Sequence, residues 1–411
     1  MAYKNSRKLS RSQLIIFALV FAAVGGVLLY KSFAANPNLP GDVNNDNVVN
    51  VTDLSILLSN YNQAYAPADF NSDGTVSILD LSILLSNYGK TYTPPGGGTA
   101  DYFVSTTGND SNSCTQAAPC RTLQRAASVA ASGSVIEVAA GSYPGQEIRD
   151  IHKTLTIRSA AGAQPSSPSG QLSFFCVTGI TIDNFDSKQM HIGPGSKNLT
   201  VKNSEFGGGT WTTGVEADPV TISGDKLNGS CAANGYENQN ITLDNIRIHD
   251  YFWQQNPGPG PHPDCMQFYG GTNGFILKNS IIERCAESFI GAYPDFGSLR
   301  NITIQDSVFR DISEVGKGTY FAVQIGCNPE NNSFQGVGDG FTIRGNTWTP
   351  NALGLEGSGI SVRTDCQNFL VENNTFQYGP GQWACDYWNS SWNDTVVWRN
   401  NTFQNGGGCS T

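Results

Sequence analysis

Two stretches of this chain place oxygen-bearing side chains where a hard cation would need them. "GDVNNDNVVNVTD" (41–53) and "ADFNSDGTVSILD" (68–80) align residue for residue. With Asp42 and Asp69 as position 1, positions 1, 3, 5, 9 and 12 hold Asp42, Asn44, Asp46, Asn50 and Asp53 in the first stretch. In the second they hold Asp69, Asn71, Asp73, Ser77 and Asp80. Calcium takes about six to eight oxygens, and carboxylates and amides alternating along a tight loop supply them, with a backbone carbonyl at position 7, here Val48 and Thr75. A merely solvated Asp/Asn turn would leave the apolar Val49 and Val76, at position 8 of both loops, without a reason. Two calcium sites are expected.

A second set of candidates could do acid–base chemistry. "HPDCMQ" places His262, Asp264 and Gln267 within six residues; further along stand Arg363, Asp365 and Asp386, and Lys317 is an available cation. A carboxyl and a basic group poised over a sugar can cleave it, either by removing a proton beside a uronate or by paired-carboxylate hydrolysis. The spacing alone selects neither. The plain alternatives are that His262, between prolines, is a turn residue, and that Arg363 and Asp365 pair with each other on an exposed face for little energy.

These groups need elements to hold them. After each calcium loop comes "DLSILLSNY", at 53–61 and again at 80–88. Leu54, Leu57, Leu58 and Tyr61, and their copies Leu81, Leu84, Leu85 and Tyr88, fall at i, i+3, i+4 and i+7, an amphipathic helix. Each helix is too short to stand alone, so the two are expected to pack their apolar faces together while calcium pins the loops. Over about residues 40–90 this duplicated unit resembles a type I dockerin. The resemblance implies two bound Ca2+ and a cohesin-type scaffold protein as partner. Its reading positions would be Val51-Thr52 and Ile78-Leu79. Position 6 is Asn47 rather than glycine in the first loop, and asparagine tolerates the same left-handed backbone. A calcium-stiffened spacer is the alternative role.

After a Pro/Gly linker, "DYFVSTTGNDSNSCTQAAPCRTLQRAASVAASGSVIEVAAGSY" is similar to the opening of secreted right-handed parallel β-helix proteins, with a short helix at Thr122–Ala131 capping the stack. A five-residue strand then recurs nine times: LTIRS from 155, ITIDN from 180, LTVKN from 199, ITLDN from 241, FILKN from 275, ITIQD from 302, FTIRG from 341, FLVEN from 369 and VVWRN from 396. Repetition at one to two coil lengths describes a solenoid with loop insertions. First and third residues should point inward, second and fourth outward. The fifth, Asn in six copies, suits a left-handed corner and a stacked ladder. Asn198, Asn240 and Asn301 open N-x-T sequons but are read as turn residues.

A second strand family carries the candidate groove. Aligning "MHIG" (190), "MQFYGG" (266) and "ISVR" (360), with relatives at Val220, Phe289 and Val323, turns His191, Gln267 and Ser361, then Tyr269 and Arg363, outward on one sheet. With Trp253 in the long insertion His249–Gly271 and Lys317, these form a face suited to stacking on sugar rings and bonding hydroxyls. H-x-D-x-x-Q stretches resemble those of pectin-lyase-type β-helices, which implies a polysaccharide substrate.

The frame agrees. The 411 residues hold 46 glycines and 19 prolines, which favours turns over long helices. Lys4, Arg7, Lys8 and Arg11 precede an apolar run from Leu14 to Tyr30, an export signal or an N-terminal transmembrane helix. All ten cysteines lie beyond it, and an even number in an exported chain is read as disulfides. That segment holds five basic and no acidic residues, so the net charge of −10 leaves −15 on the remainder. Such an acidic surface argues against nucleic acid.

The expected fold is mainly β: a right-handed parallel β-helix (101–411) behind a small α-helical dockerin-like calcium-binding domain (40–90), a linker (91–100) and an N-terminal hydrophobic signal or anchor helix (1–35). Two functions follow: an extracellular or surface enzyme, lyase or glycoside hydrolase, that degrades polysaccharide; or a non-catalytic surface adhesin that binds glycan.

Overall fold

The computed structural model describes residues 39–44, 48–71, 74–91, 99–160, 167–168, 170–211, 218–224, 231, 235–253, 264–285, 290–292, 297–310, 320–326, 337–349, 357–362, 368–377, 383–387 and 396–403. The expected signal or anchor segment lies outside them. No helix among the described residues is long and apolar enough to cross a membrane. The chain divides into two compact units, Met1–Pro94 and Pro95–Thr411.

In the first unit the duplicated nonamers form helices Val51–Ser59 and Ile78–Asn87. Both start with a reciprocal cap. The Asn50 and Ser77 side chains accept helix N–H groups, while Asp53 and Asp80 accept the N–H of those same capping residues. The halves interlock crosswise. Val49 exchanges backbone bonds with Gly89 and Lys90, after the second helix, and Val76 with Asn62 and Gln63, after the first.

The buried face differs from the expected one. Leu57, Leu84, Val49 and Val76 fill the core with Leu39, Val43 and Ala68, whereas Leu58 and Leu85 are each 52% exposed and Tyr61 and Tyr88 also face out. The reason is the buried carboxylate. Asp53 must turn toward its loop, which fixes the inward direction along 53 and 57; Leu58, one residue further round the helix than Leu57, is rotated from it by about 100°, and Tyr61 lies past the helix end at Ser59.

In the second unit every pairing between described strands is parallel, in coils of a β-helix. The capping helix runs Leu123–Val129, with Thr122 as its N-cap and Leu123, Ala126 and Ala127 buried. Above it the nine strand copies stack in register: Leu155 beside Ile180, Leu199 beside Ile241, then Phe275, Ile302 and Phe341 in turn, and Phe369 beside Val396. Their first and third residues are buried from Leu155 through Val371. Outward fourth residues pair between coils, as in Lys202–Asp183 (3.6 Å), Lys278–Asp244 (3.1 Å) and Arg399–Glu372 (2.6 Å).

The fifth position turns the chain. Asn184, Asn203, Asn245, Asn279, Asn373 and Asn400 all have positive φ, between 52° and 63°, and Asp306 and Gly345 do the same in two other coils. Asn198, Asn240 and Asn301 are left-handed as well, at the strand's other end. Asn245 donates to Asn203 (3.0 Å), while Asn203 and Asn279 donate instead to Asp183 (2.6 Å) and Asp244 (2.8 Å), outward carboxylates of the coil before. A deeper ladder runs one residue later. The N–H of Ile246 donates to Ser280 Oγ, Ser280 to Ser307 Oγ, Ser307 to Asn346 Oδ1, Asn346 to Asn374 Oδ1 and Asn374 to Asn401 Oδ1, at 2.9–3.2 Å. Buried N–H groups at the corner thus find partners without water. A third face of the coil is formed by the parallel strands Ile281–Cys285, Val308–Arg310, Thr347–Trp348, Thr375–Phe376 and Thr402–Phe403, preceded by the second half of Asn238–Trp253, and on it Phe309, Trp348, Phe376 and Phe403 stack in a column, with centroids 4.7–5.3 Å apart.

Candidate functional site

The calcium loops come first. Asp42, Asp53 and Asp80 are buried. Asp53 Oδ1 accepts from the N–H of Val43 (2.8 Å) and Asn44 (3.2 Å), drawing position 12 back over positions 2 and 3; Asp80 Oδ1 does the same with Asn71 (3.1 Å). Gly74, at φ 90°, donates its N–H to Asp69 Oδ2 (2.9 Å), which curls the second loop. The side chains so gathered (Asp42, Asn44, Asn50 and Asp53; Asp69, Asn71, Ser77 and Asp80), with the carbonyls of Val48 and Thr75, are oxygen donors only, the chemistry of a hard cation. Position 9 is already engaged, since Asn50 Oδ1 and Ser77 Oγ cap their helices, which suits a ligand acting through water. Asp46, Asp73 and Asn47 lie outside the described residues. Around the loops, Val51, Ile78, Leu79, Leu58 and Leu85 form a duplicated exposed apolar surface.

The groove face is a nine-stranded sheet built from Gln146–Arg149, Gln171–Phe175, Gln189–Ile192, Val220–Ile222, Met266–Phe268, Ile290–Ala292, Tyr320–Ile325, Gly357–Val362 and Trp383–Tyr387. Its register aligns one position of every strand in a single row: Glu147, Ser173, His191, Thr221, Gln267, Gly291, Gln324, Ser361 and Asp386. The flanking positions on these strands, such as Met190, Ile192, Met266, Phe268, Ile290 and Val323, are buried in the core.

Near the start of the row, His191 Nε2 lies 2.7 Å from Ser223 Oγ and its ring meets Phe175 edge-on at 5.0 Å, while the Arg149 guanidinium sits 4.2 Å over the other ring. Further along, the row is buried. Asp264 is 2% exposed, and its N–H donates to the carboxylate of Asp218, also buried (2.9 Å). Asp264 Oδ2 and Gln267 Oε1 both point into the space that Gly291 leaves for want of a side chain; a methyl group there would overlap both oxygens. Ser361 is 0% exposed and its Oγ has no hydrogen-bond partner among the described residues. The disulfide Cys265–Cys285 ties the segment between Asp264 and the strand of Gln267 to the strand Ile281–Cys285.

Of the residues singled out from sequence, Asp264, Gln267, His191 and Tyr269 therefore stand on or beside this sheet. Trp253 ends the strand Asn238–Trp253. His262, Lys317, Arg363 and Asp365 lie outside the described residues. Asp218, Gly291 and Gln324 were missed: "FIGAY" and the Val323 strand carry the signal only once they are aligned with the Met266 strand.

A second charged cluster, on the third face, also escaped the sequence reading. Glu205 accepts from Arg247 (3.1 Å) and contacts His249 Nε2 (2.5 Å), and His249 Nδ1 contacts Asp250 (2.6 Å), which Arg284 grips through two nitrogens. The Arg284 bond, aided by His249, holds the Asp250 carboxyl down at about 2. Asp186, beside Glu205 in register, is pushed up to about 6 by burial and by the Glu205 charge. Asp150, His152 and Cys176 also converge, but Cys176 is bonded to Cys231, so no thiolate is on offer to a metal.

Residues 40–88 match the family model of the dockerin type I domain, and residues 106–149 that of a protein of unknown function, DUF1565. Among curated proteins, none matches the chain. Several solved structures are similar, three of them as follows. An alginate lyase from Paenibacillus sp. str. FPU-7 is 16% identical, over 75% of this chain and 99% of its own, with a TM-score of 0.38. PfbA, a surface adhesin of Streptococcus pneumoniae, is 14% identical over 70% and 87%, with a TM-score of 0.40. The lacto-N-biosidase of family GH136 from Eubacterium ramulus is 9% identical over 74% and 67%, with a TM-score of 0.37. Residues 40–88 are therefore a match to the type I dockerin domain, and the all-parallel strand pairing of the second unit is that of a β-helix.

Proposed function

We propose that this is an exported enzyme that degrades polysaccharide on the nine-stranded face of its β-helix and is held to a scaffold by its calcium-binding module. The observation that carries the reading is the convergence of Asp264 and Gln267 over Gly291, midway along an outward row of polar side chains. A core has no use for such a row, and a glycan has many hydroxyls to satisfy it. Asp264 is the acid–base group: buried, held by Asp218 through its own N–H, and close to the surface a sugar would occupy. Gln267 orients the substrate by hydrogen bonds. His191 and Tyr269 extend the binding face. His262, Arg363, Asp365, Trp253 and Lys317 remain the candidates from the adjoining insertions, where a cation would neutralise an acidic sugar. The three disulfides among the described residues fit an oxidising, extracellular setting.

In the module, Asp42, Asn44, Asp46, Val48, Asn50 and Asp53 would hold one Ca2+, and Asp69, Asn71, Asp73, Thr75, Ser77 and Asp80 a second. Bound calcium supplies rigidity here, and its loss loosens the loops. The duplicated surface at Val51, Ile78, Leu79, Leu58 and Leu85 is then the face for a cohesin-type partner, because these apolar side chains stand exposed on both helices.

The test is a product assay of the full chain with calcium on neutral and acidic polysaccharides, following reducing ends and the absorbance of unsaturated uronates. New reducing ends that Asp264→Asn abolishes are expected. Unsaturated products would mark a lyase, and their absence a hydrolase. A folded protein that binds glycan yet leaves every polymer intact would sink the enzymatic reading in favour of the adhesin.

A further inference from the structure

Asp186 and Glu205 stand side by side on adjacent coils, in register on the strands Asp186–Ser187 and Lys197–Trp211. The next residues, Ser187 and Phe206, are buried, so both carboxyls point outward. Glu205 is anchored through one oxygen only. Its Oε1 meets Arg247 Nη1 (3.1 Å) and His249 Nε2 (2.5 Å), while Oε2 has no hydrogen bond or ion pair among the described residues. The Glu205 side chain is 43% exposed, and the next outward position of its strand is Gly207, which puts no side chain beside it. The half-buried Asp186 carboxyl likewise makes no hydrogen bond or ion pair among the described residues. A carboxyl that ties down nothing in its own fold, beside a carboxylate held by one oxygen, is better suited to chemistry than to packing.

We propose that Asp186 and Glu205 are a second catalytic pair, apart from the nine-stranded face, that hydrolyses the glycosidic bond of a single terminal sugar with retention at the anomeric carbon. Side chains in register on neighbouring parallel strands start about 4.8 Å apart, close to the roughly 5 Å between the carboxyls of a retaining pair and short of the wider gap that inversion needs. The two environments differ as the two roles require. Burial and the Glu205 charge push Asp186 up to about 6, which makes it the proton donor, and His249 and Arg247 hold Glu205 low, which keeps it an anion. Glu205 Oε2 attacks the anomeric carbon as the bond to the leaving oxygen breaks and Asp186 gives that oxygen its proton. Water, losing a proton to Asp186, then displaces Glu205, and the sum is glycoside plus water giving sugar plus alcohol. Beyond Arg247 the same outward row continues as Ile281 and Val308, so polar groups serve one sugar and not a polymer.

The test uses the full chain with dinitrophenyl and methyl glycosides of xylose, glucose, galactose and mannose, and with 2-deoxy-2-fluoro dinitrophenyl analogues, which accumulate at the glycosyl-enzyme stage. Peptide mapping should find the fluorosugar on Glu205, and NMR of the first product should show the anomeric configuration kept. Asp186→Asn should slow the methyl glycosides about a hundredfold and the labelling step with dinitrophenyl analogues far less, because dinitrophenolate leaves without a proton. Its Tm at pH 7 should not fall, and a structural role would not separate the two leaving groups. A label on Asp264 would overturn the second pair and assign the hydrolysis to the nine-stranded face. Inverted configuration, equal effects of Asp186→Asn on both leaving groups, or no hydrolysis of any glycoside would overturn it as well. The polysaccharide reading is judged by its own polymer assay with Asp264→Asn, so the two can fail separately.

Discussion

Glu283 and Arg310 face each other across adjacent coils of the third face, the buried carboxylate accepting from Arg310 Nε at 2.6 Å. The same carboxylate accepts from Arg247 (2.5 Å) and Arg284 (2.9 Å), so one anion gathers three guanidiniums from three coils. Burial pushes the Glu283 carboxyl up, but Arg247 and Arg310 outweigh it and the net shift is downward. Its stabilisation is therefore present above the ordinary carboxylate range and is lost as the pH falls through the lowered folded value.

Glu283→Gln is expected to cost about 3 kcal/mol, since it removes the buried anion that three guanidiniums share, leaving Arg247 to Glu205 and Arg284 to Asp250 and taking the bonded carboxylate from Arg310. Urea denaturation at pH 7 measures the loss. A cost under about 0.5 kcal/mol would show that the cluster is no more than an exposed network.

Asp186 works in the opposite sense. Its folded value of about 6 exceeds the ordinary 3.8, so the unfolded chain ionises first and stability falls as the pH rises between those values. Asp186→Asn should gain about 1–2 kcal/mol above pH 6, with the gain vanishing near pH 4. A gain independent of pH would contradict this assignment.

The calcium assignment has a count attached. Calorimetric titration of the full chain should give two ions per molecule, and Asp42→Ala or Asp69→Ala should each remove one, because neither residue is part of a helix cap. Chelation should lower the first thermal transition, by an amount that follows free calcium relative to Kd. One ion in the wild type, or none, would refute the paired sites.

The inner corner ladder is also testable. Asn374 Oδ1 accepts from the backbone N–H of Asn346, and its Nδ2 donates to the carbonyl of Ile343 and to Asn401 Oδ1. Asn374→Ala strips partners from a buried amide and a buried carbonyl together. We expect a loss of about 3 kcal/mol, read by thermal denaturation. Asn203→Ala, at the half-buried outer corner, should cost less than half of that.

Much of this was legible in the chain because it is local. A left-handed corner after a five-residue strand, a loop of alternating oxygens and a helix capped by the last of them are each properties of a short window, set by the φ preference of asparagine and by side-chain reach. The nine strand copies could be stacked on paper for the same reason. Where local periodicity was pressed too far it failed, as with Leu58 and Tyr61: a hydrophobic stripe marks a helix, but the buried Asp53 decides which part of it turns inward.

The amino-acid sequence by itself therefore determined the coil, its corners and the duplicated cation loops. Only the tertiary structure decided which coils meet. Asp218 and Asp264 lead into two successive strands and Gly291 lies in the next, with insertions of unequal length between them, and the three arginines around Glu283 come from three coils. Such meetings depend on the register with which one coil settles on the next, and that register is fixed by cooperative packing of inward side chains along the whole stack, which no single stretch contains.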